Sequence, residues 1–422
     1  MRPASHWIHV HSDFGVYKFS PERHSSPAMQ DRLHEAYRVN GYALCQCKKQ
    51  HGGLRLMIKY INHKYYLAKY AHTGSEHAEN CSFYSRLNKE GGQQGYNDGV
   101  IKENPNARLQ IKLTYSLQSG EAKRPGVHEV PPTAPARRSK QGQPTMSIMG
   151  LLHLLWESAG LNLWRPGMEG KRTVSLVSYR LNEQANTIDV GKTCLSEVLL
   201  LPAERKETAG VLNNEARTGQ AIQQKHRLVA IAELAGYTDI RAQNPGKLWV
   251  KDFHGMPHLN IDTTLWLNTL KRFPAAAAGW KAGQRVMAIA LTDAPFMSKS
   301  NIAGANILQL GLMLISDRYI PVDSSYEHRL ELRLHAEARH FTKPLRYDAA
   351  LDEYLPDFCL IDVSGCPYLP MEVFGMATAE YLAHKQVKTT WYNDKFGSAG
   401  WWSWDAAVDP LGENMQSFPQ NG

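Results

Sequence analysis

Two short apolar runs near the C-terminal end, each carrying one carboxylate, constrain this chain more than any other feature. In the segment Leu355–Tyr392 an Asp follows a Pro at the head of the first run, Asp357, and Glu372 opens the second. Two strands in a hairpin can hold such residues side by side at one end of a sheet. The stretch that follows has helical spacing and carries Tyr381, Lys385 and Lys388. Two carboxylates with a nearby lysine suit a hard divalent cation and a phosphate. The pattern points to metal-dependent phosphodiester cleavage.

On these residues the segment resembles the PD-(D/E)XK nuclease superfamily. The resemblance begins at Ile320. The charged amphipathic stretch Ser324–Phe341 places Glu327 at its start, where that superfamily has a Glu-bearing helix before its first strand. The phrase FTKPLRYD (residues 341–348) leads into the Asp run, again as in that superfamily. The usual Glu-x-Lys is replaced by Glu372-Val373-Phe374-Gly375. In variants ending Glu-x-aromatic-Gly the lysine comes from the next helix, which implies Lys388, with Lys385 as second choice. The resemblance covers about a quarter of the chain. It implies an α/β fold, a restriction-endonuclease-like mixed sheet flanked by helices. It also implies Mg²⁺ or Mn²⁺ held by Asp357 and Glu372, with Glu327 acting through a water and the Val373 carbonyl as an extra oxygen. The catalytic set would be Glu327, Asp357, Glu372 and Lys388 or Lys385, acting on DNA rather than RNA, with Tyr381 packing or positioning a phosphate. Loss of Glu-x-Lys leaves a second reading open: a non-catalytic nucleic-acid-binding or protein adaptor on a degenerate nuclease fold.

A second constellation lies near the N-terminus. Cys45-Gln46-Cys47 stands at one end of Tyr42–Ser85, and His77-Ala78-Glu79-Asn80-Cys81 at the other. Between them, LRLMIKY and YYLAKYA alternate apolar and polar residues as a hairpin does, parted by Ile61-Asn62-His63-Lys64. A hairpin returns the chain to its start, which brings Cys45 and Cys47 against His77 and Cys81. Three thiolates and an imidazole make a closed tetrahedral Zn²⁺ site of the structural kind. His72 competes with His77, and His51 and His63 are further candidates. Three packed thiols without a metal are the plain alternative. No Cys-x2-Cys pair supports a thiol-redox enzyme built on Cys45 and Cys47.

The sequence divides by composition. Residues 1–117 read as a zinc-stapled β-rich domain. Residues 118–146, rich in Pro, Gly, Ser and Ala and net basic, read as a flexible linker. Residues 147–300 read as a helical and strand middle region, and 301–422 as the nuclease-like domain. Within the middle region, Ser147–Trp164 has the spacing of an apolar helix capped by Ser147, with Trp156 and Trp164 as core residues. Arg172–Leu181 reads as a short strand or helix end, Asn214–Ala235 as helix, and 248–253, 286–291 and 304–316 as strands. The order of cysteine-rich start, LLHLLWE helix and carboxylate-rich end resembles the bacterial domain of unknown function 1173 family across nearly the whole chain. That likeness implies bacterial origin and frequent carriage on mobile elements. The net charge of +8, from 48 basic and 40 acidic residues, is a mild bias toward polyanions. No secretory signal and no run long enough for a membrane span are visible, and six cysteines do not suggest a disulfide framework, so a cytoplasmic setting is expected.

Overall fold

The computed structural model describes residues 6–24, 26–39, 41–48, 52–61, 64–69, 77–78, 81, 83, 101–103, 108–118, 145–204, 208–345, 354–366 and 368–421. The chain divides into two compact units, drawn from residues 1–98 with 347–355 and from 99–346 with 356–422.

Among its described residues the first unit has a five-stranded antiparallel sheet and one α-helix. Its elements are β1 (Ile8–Ser12), β2 (Gly15–Phe19), α1 (Pro27–Arg38), β3 (Tyr42–Cys45), β4 (Leu54–Ile61) and β5 (Lys64–Lys69), in the order β2-β1-β3-β4-β5. Ser26 starts α1 by accepting from the Met29 N–H, and Pro27 fits the first turn, where no intrahelical donor is needed. Met29, Leu33 and Ala36, at helical spacing, pack with Ile8, Val10, Ala43 and Leu56 of the sheet. The expected hairpin is present: β4 and β5 pair from Leu56–Lys69 to Ile61–Lys64.

The second unit contains three sheets. Its elements begin with β6 (Ile101–Glu103), β7 (Leu109–Ile111), α2 (Ile148–Ser158), β8 (Leu163–Trp164), α3 (Val174–Ala185), β9 (Ile188–Val190), β10 (Thr193–Cys194) and β11 (Leu199–Leu200). They continue with α4 (Thr208–Gln224), β12 (Val229–Glu233), α5 (Asp239–Gln243), β13 (His258–Asn260), α6 (Thr263–Arg272), α7 (Pro274–Lys281), β14 (Arg285–Thr292), β15 (Phe296–Met297) and β16 (Ala303–Ile315). The last are α8 (Ser325–Ala336), β17 (Phe341–Thr342), β18 (Phe358–Leu360), β19 (Leu369–Val373), α9 (Ala379–Phe396) and β20 (Trp402–Trp404). The sheet orders are β10-β9-β7-β6, β11-β12-β14-β16-β13 and β20-β19-β18-β17-β8.

This division differs from the one the composition suggested. Strand β7 pairs in parallel with β9, so residues from 99 onward belong with the second unit and the boundary lies at 98 rather than 117. Strand β8 pairs with β17, which joins the supposed middle region to the C-terminal one in a single sheet. Most of the expected linker, 119–144, lies outside the described residues. Its two ends sit in one unit: Gln118 bridges to His226, and Met146 donates to Lys112.

Several local readings take a different form in the structure. Residues 172–181 lie mostly in α3, capped by Thr173. The apolar half of 214–235 is β12, every residue of it buried. A continuous apolar run between two neighbouring strands looks the same as a buried helix by periodicity alone. Residues 248–253 form isolated bridges rather than a strand. Helix α2 is present with its Ser147 cap, and Trp156 and Trp164 are core residues. The Trp156 indole donates to the Tyr319 carbonyl at 3.0 Å and ties α2 to the turn that leads into α8.

Candidate metal and carboxylate–lysine sites

The cysteine and histidine ligands converge. Strand β3 ends at Cys45, and strand alternation puts Cys47 on the same side two residues on. The two sulfurs meet His77 and Cys81, and the four ligand atoms lie within 4.8 Å of one another. The Cys45 and Cys81 sulfurs are 3.6 Å apart, and His77 Nδ1 lies 3.3 Å from Cys47 Sγ and 3.6 Å from Cys81 Sγ. Bonds of about 2.3 Å around a tetrahedral zinc place ligand atoms roughly 3.8 Å apart, so the cluster can hold that ion with little movement. Cys45, His77 and Cys81 are buried. The Ala78 and Phe83 N–H groups donate to Cys47 and Cys81, the outer-shell support that thiolate ligands use. The hydrogen bond between Cys45 and Cys81, aided by His77 and the Phe83 N–H, lowers Cys81 to about 4, and the same bond with burial raises Cys45. Cys47 is raised by burial as well, so Cys81 is the thiol most ready to ionise. His51, His63 and His72, the other candidates, lie outside the described residues.

The second site lies within the second unit, around the sheet of β8 and β17–β20. Helix α8 opens with a Ser324 cap that accepts from the Glu327 N–H. The helix buries two acids one turn apart. Glu331 is held by Arg318 at 2.6 Å and by Ser316. Glu327 accepts from the Asp323 N–H and from Lys343 Nζ at 2.6 Å. Lys343 follows β17 directly, is almost fully buried, and also reaches Asp323 at 2.9 Å. The backbone of Lys343 is clamped by Asn162, which takes its N–H and donates to its carbonyl. Asp323 keeps 60% of its side chain exposed, so solvent screens its share of that pairing.

Asp357 immediately precedes β18. Its N–H donates to the Met371 carbonyl, and its carboxylate accepts from the Val373 N–H at 2.7 Å, which fixes it against β19. Glu372, on β19 and only 1% exposed, accepts from Lys388 Nζ at 2.5 Å and from the Tyr392 hydroxyl at 2.5 Å. Lys388 and Tyr392 stand four residues apart on α9 and so share a face. Lys385 faces elsewhere: it pairs with Asp405 and lies over the Phe374 ring. A Cβ at Gly375 would crowd the Tyr326 ring at 3.0 Å, so the ring would have to give by a few tenths of an ångström.

Charge ties these residues into one site. Burial raises Glu372 to about 8, with Asp357 adding to the rise and Lys388 opposing it. Burial likewise raises Glu327 to about 8, with Lys343 opposing and Asp323 and Asp357 adding. Asp357 is therefore near enough to act on both glutamates. Burial lowers Lys388 and Lys343, but the surrounding carboxylates outweigh it and hold both above the ordinary lysine range. Tyr381 is raised by burial and by Asp357 and Glu372, which puts it beside the same group. Four carboxyl groups (Asp323, Glu327, Asp357, Glu372) face two ammoniums (Lys343, Lys388), and burial favours the protonated form of the two glutamates. Among the described residues the Cys/His cluster is the one group of three or more such ligands already close enough to share an ion. Glu327 and Glu372 are paired with lysines instead.

Sequence reasoning passed over Lys343, Asp323 and Tyr392. The Lys343 signal was present: a single lysine between Thr342 and Pro344 in a phrase otherwise leading into a buried strand. Nothing local marks Tyr392. His153 on α2 was also missed; burial lowers it, with Asp323 opposing and Lys343 adding, so it borders the Asp323–Lys343 end.

Residues 17–407 match the family described as Protein of unknown function (DUF1173), and the chain belongs to that family. No curated protein and no solved structure matches it. Among the described residues no helix is long and apolar enough to cross a membrane.

Proposed function

We propose that this member of the DUF1173 family is a Mg²⁺-dependent nuclease that hydrolyses phosphodiester bonds in DNA. The observation that carries this reading is the gathering of four carboxyl groups, two of them kept protonated by burial, around two lysines that can meet a phosphate. Glu327 on a helix, Asp357 and Glu372 on paired strands, and Lys388 on the next helix follow the order that the PD-(D/E)XK resemblance implies. That order supports a restriction-endonuclease-like core.

Asp357 and Glu372 would hold the cation, with Glu327 as the outer carboxylate. Two glutamates that sit protonated near pH 8 without a cation are groups that gain by binding one. A bound Mg²⁺ would supply Lewis-acid charge at the scissile phosphate and lower the pKa of an attacking water. The Val373 N–H keeps one Asp357 oxygen fixed and leaves the other for binding. Tyr392 holds Glu372 from behind, so its carboxylate cannot rotate away. Lys388 Nζ can turn from Glu372 to a phosphate oxygen and offset charge as it develops. Lys343 holds the Glu327 carboxyl in place from within the core.

The zinc reading of the N-terminal cluster belongs with this one as a structural staple, since all four ligands face inward and no position is left open. The adaptor reading has one observation in its favour: Glu327 and Glu372 are already satisfied by lysines, which a site without chemistry would also need. Cleavage of single- and double-stranded DNA with Mg²⁺ or Mn²⁺, wild type beside Asp357→Ala, separates the two. Metal-dependent cleavage lost in the variant supports the nuclease. Equal cleavage by both, or none by either across substrates, sinks it.

A further inference from the structure

The five-stranded sheet of the N-terminal unit has one face in the core and one outside it. Ile8, Val10, Ala43 and Leu56 pack with α1. Alternation sends the intervening residues to the other face, and the register shows which of them meet. His9 lies opposite Lys18 on β2 and Leu44 on β3, and Leu44 lies opposite Arg55 on β4. His11 lies opposite Tyr42.

The side chains on that face form a column. The His11 and Tyr42 rings stack at 4.7 Å with planes 8° apart, and the Arg55 guanidinium lies 4.1 Å from the Tyr42 ring centre. Lys18 and Arg55 are exposed, and so is Trp7, just ahead of β1, at 51%. Among the described residues no ion pair joins Lys18 or Arg55 to a carboxylate. His9 and His11 sit below the ordinary imidazole range, through burial first and then through Lys18, His11 and Arg55. Lys18 and Arg55 are the cations that act on them, and rings are interleaved with these charges.

We propose that this outer sheet face binds single-stranded DNA, with bases stacking on Trp7 and on the His11–Tyr42–Arg55 column and with Lys18 and Arg55 meeting phosphates. A single strand offers what such a face can use: free base faces at one end of each nucleotide and a charge at the other. A duplex hides its base faces and keeps only the charge. Strand binding rests on this sheet alone, whereas the choice of DNA over RNA rests on the nuclease reading.

The test is fluorescence anisotropy of a labelled oligothymidylate of about twenty nucleotides, a length that covers one such site. The protein is the full chain carrying Asp357→Ala, without added Mg²⁺, so that nothing is cut. Tyr42→Ala and Arg55→Ala should each weaken binding about fivefold or more, the effect of losing one stacking partner. Lys18→Ala should flatten the salt dependence by about one ion. A duplex of the same length should bind more weakly. Folded Arg55→Ala and Lys18→Ala variants, checked by circular dichroism, that bind as well as the parent would overturn the proposal even if Tyr42→Ala fails to fold. Tighter binding of the duplex or of an RNA strand, or binding of an acidic peptide in place of the oligonucleotide, would overturn it too. Failure of the nuclease reading is read separately, as absence of cleavage by the chain with Asp357 intact.

Discussion

The Cys/His cluster of the first unit and the carboxylate–lysine cluster of the second each gather four acidic or metal-ligating side chains. They differ in what lies between the ligands. In the first, four donors face one another within 4.8 Å with no cationic side chain among them. In the second, Glu327 and Glu372 are each paired with an ammonium, at 2.6 and 2.5 Å. The first arrangement is finished: a metal there has all its ligands and can only hold the chain together. In the second, the carboxyl groups meet lysines. The two clusters are distinguished here by whether the ligands face one another or face cations.

The sharpest way to break this comparison is to remove a soft ligand. Cys81→Ser should abolish one bound zinc per chain and unfold the first unit, since the binding free energy of a structural zinc is folding free energy in a small unit. Elemental analysis and thermal melting should show that loss while the second unit keeps its own transition. If both units melt as before, the cluster is a packed thiol group and not a metal site.

Asp357→Ala or Glu372→Ala should reduce Mg²⁺-dependent cleavage at least a hundredfold, the scale of losing a charge-stabilising group at such a site, with the melting of the first unit unchanged. A loss of fold in place of activity would make the carboxylates structural and erase the contrast.

Lys343→Ala should destabilise the second unit by about 3–5 kcal/mol, because it strands Glu327 without its buried partner. Denaturant titration measures this. Lys343→Met with Glu327→Gln should recover much of the stability but none of the activity, which separates holding the fold from serving the site.

The pH dependence carries a definite sign. Glu372 and Glu327 are raised to about 8 in the fold, against about 4.3 for a free glutamate. Between those values the folded chain keeps protons that the unfolded chain has released, so stability without metal falls as pH rises through that window. Melts across pH 5–9 should show this fall, and Glu372→Gln should remove part of it. A wild type that gains stability over the same range, relative to Glu372→Gln, would contradict the assignment.

The smallest effects separate the two lysines of α9. Lys388→Ala should slow cleavage by tenfold or more, the scale of losing a charge that acts in the transition state. Lys385→Ala should cost no more than about 1 kcal/mol of stability and little rate, since its partner Asp405 is half exposed. The reverse ranking would move the catalytic role to Lys385.

Much of both sites could be read from the sequence, for a common reason. Cys45, Cys47, His77 and Cys81 bracket a hairpin, and strand pairing fixes where the ends of a hairpin go. Glu327 and Asp357 stand at or beside element starts, where a cap or a Pro marks the position, whereas Glu372, expected to open an apolar run, is the fourth of the five residues of β19. Alternation and helical spacing likewise anticipated β4 and β5, α2, β14, β16, α8 and α9. What the sequence did not decide was partnership over distance. That β8 would join β17, or that β7 would pair with β9 and so move the unit boundary from 117 to 98, depends on which edges are left open once the other strands have paired. That the apolar run at 229–233 is strand and not helix was decided by neighbours on both sides. Lys343 looks like any lysine until Glu327 and Asp323 close around it, and Lys385 and Lys388 look alike until Asp405 takes one and Glu372 the other. Local spacing selects which face a residue is on; only packing selects what that face meets, because the electrostatic cost of burying a charge is set by the whole surrounding chain.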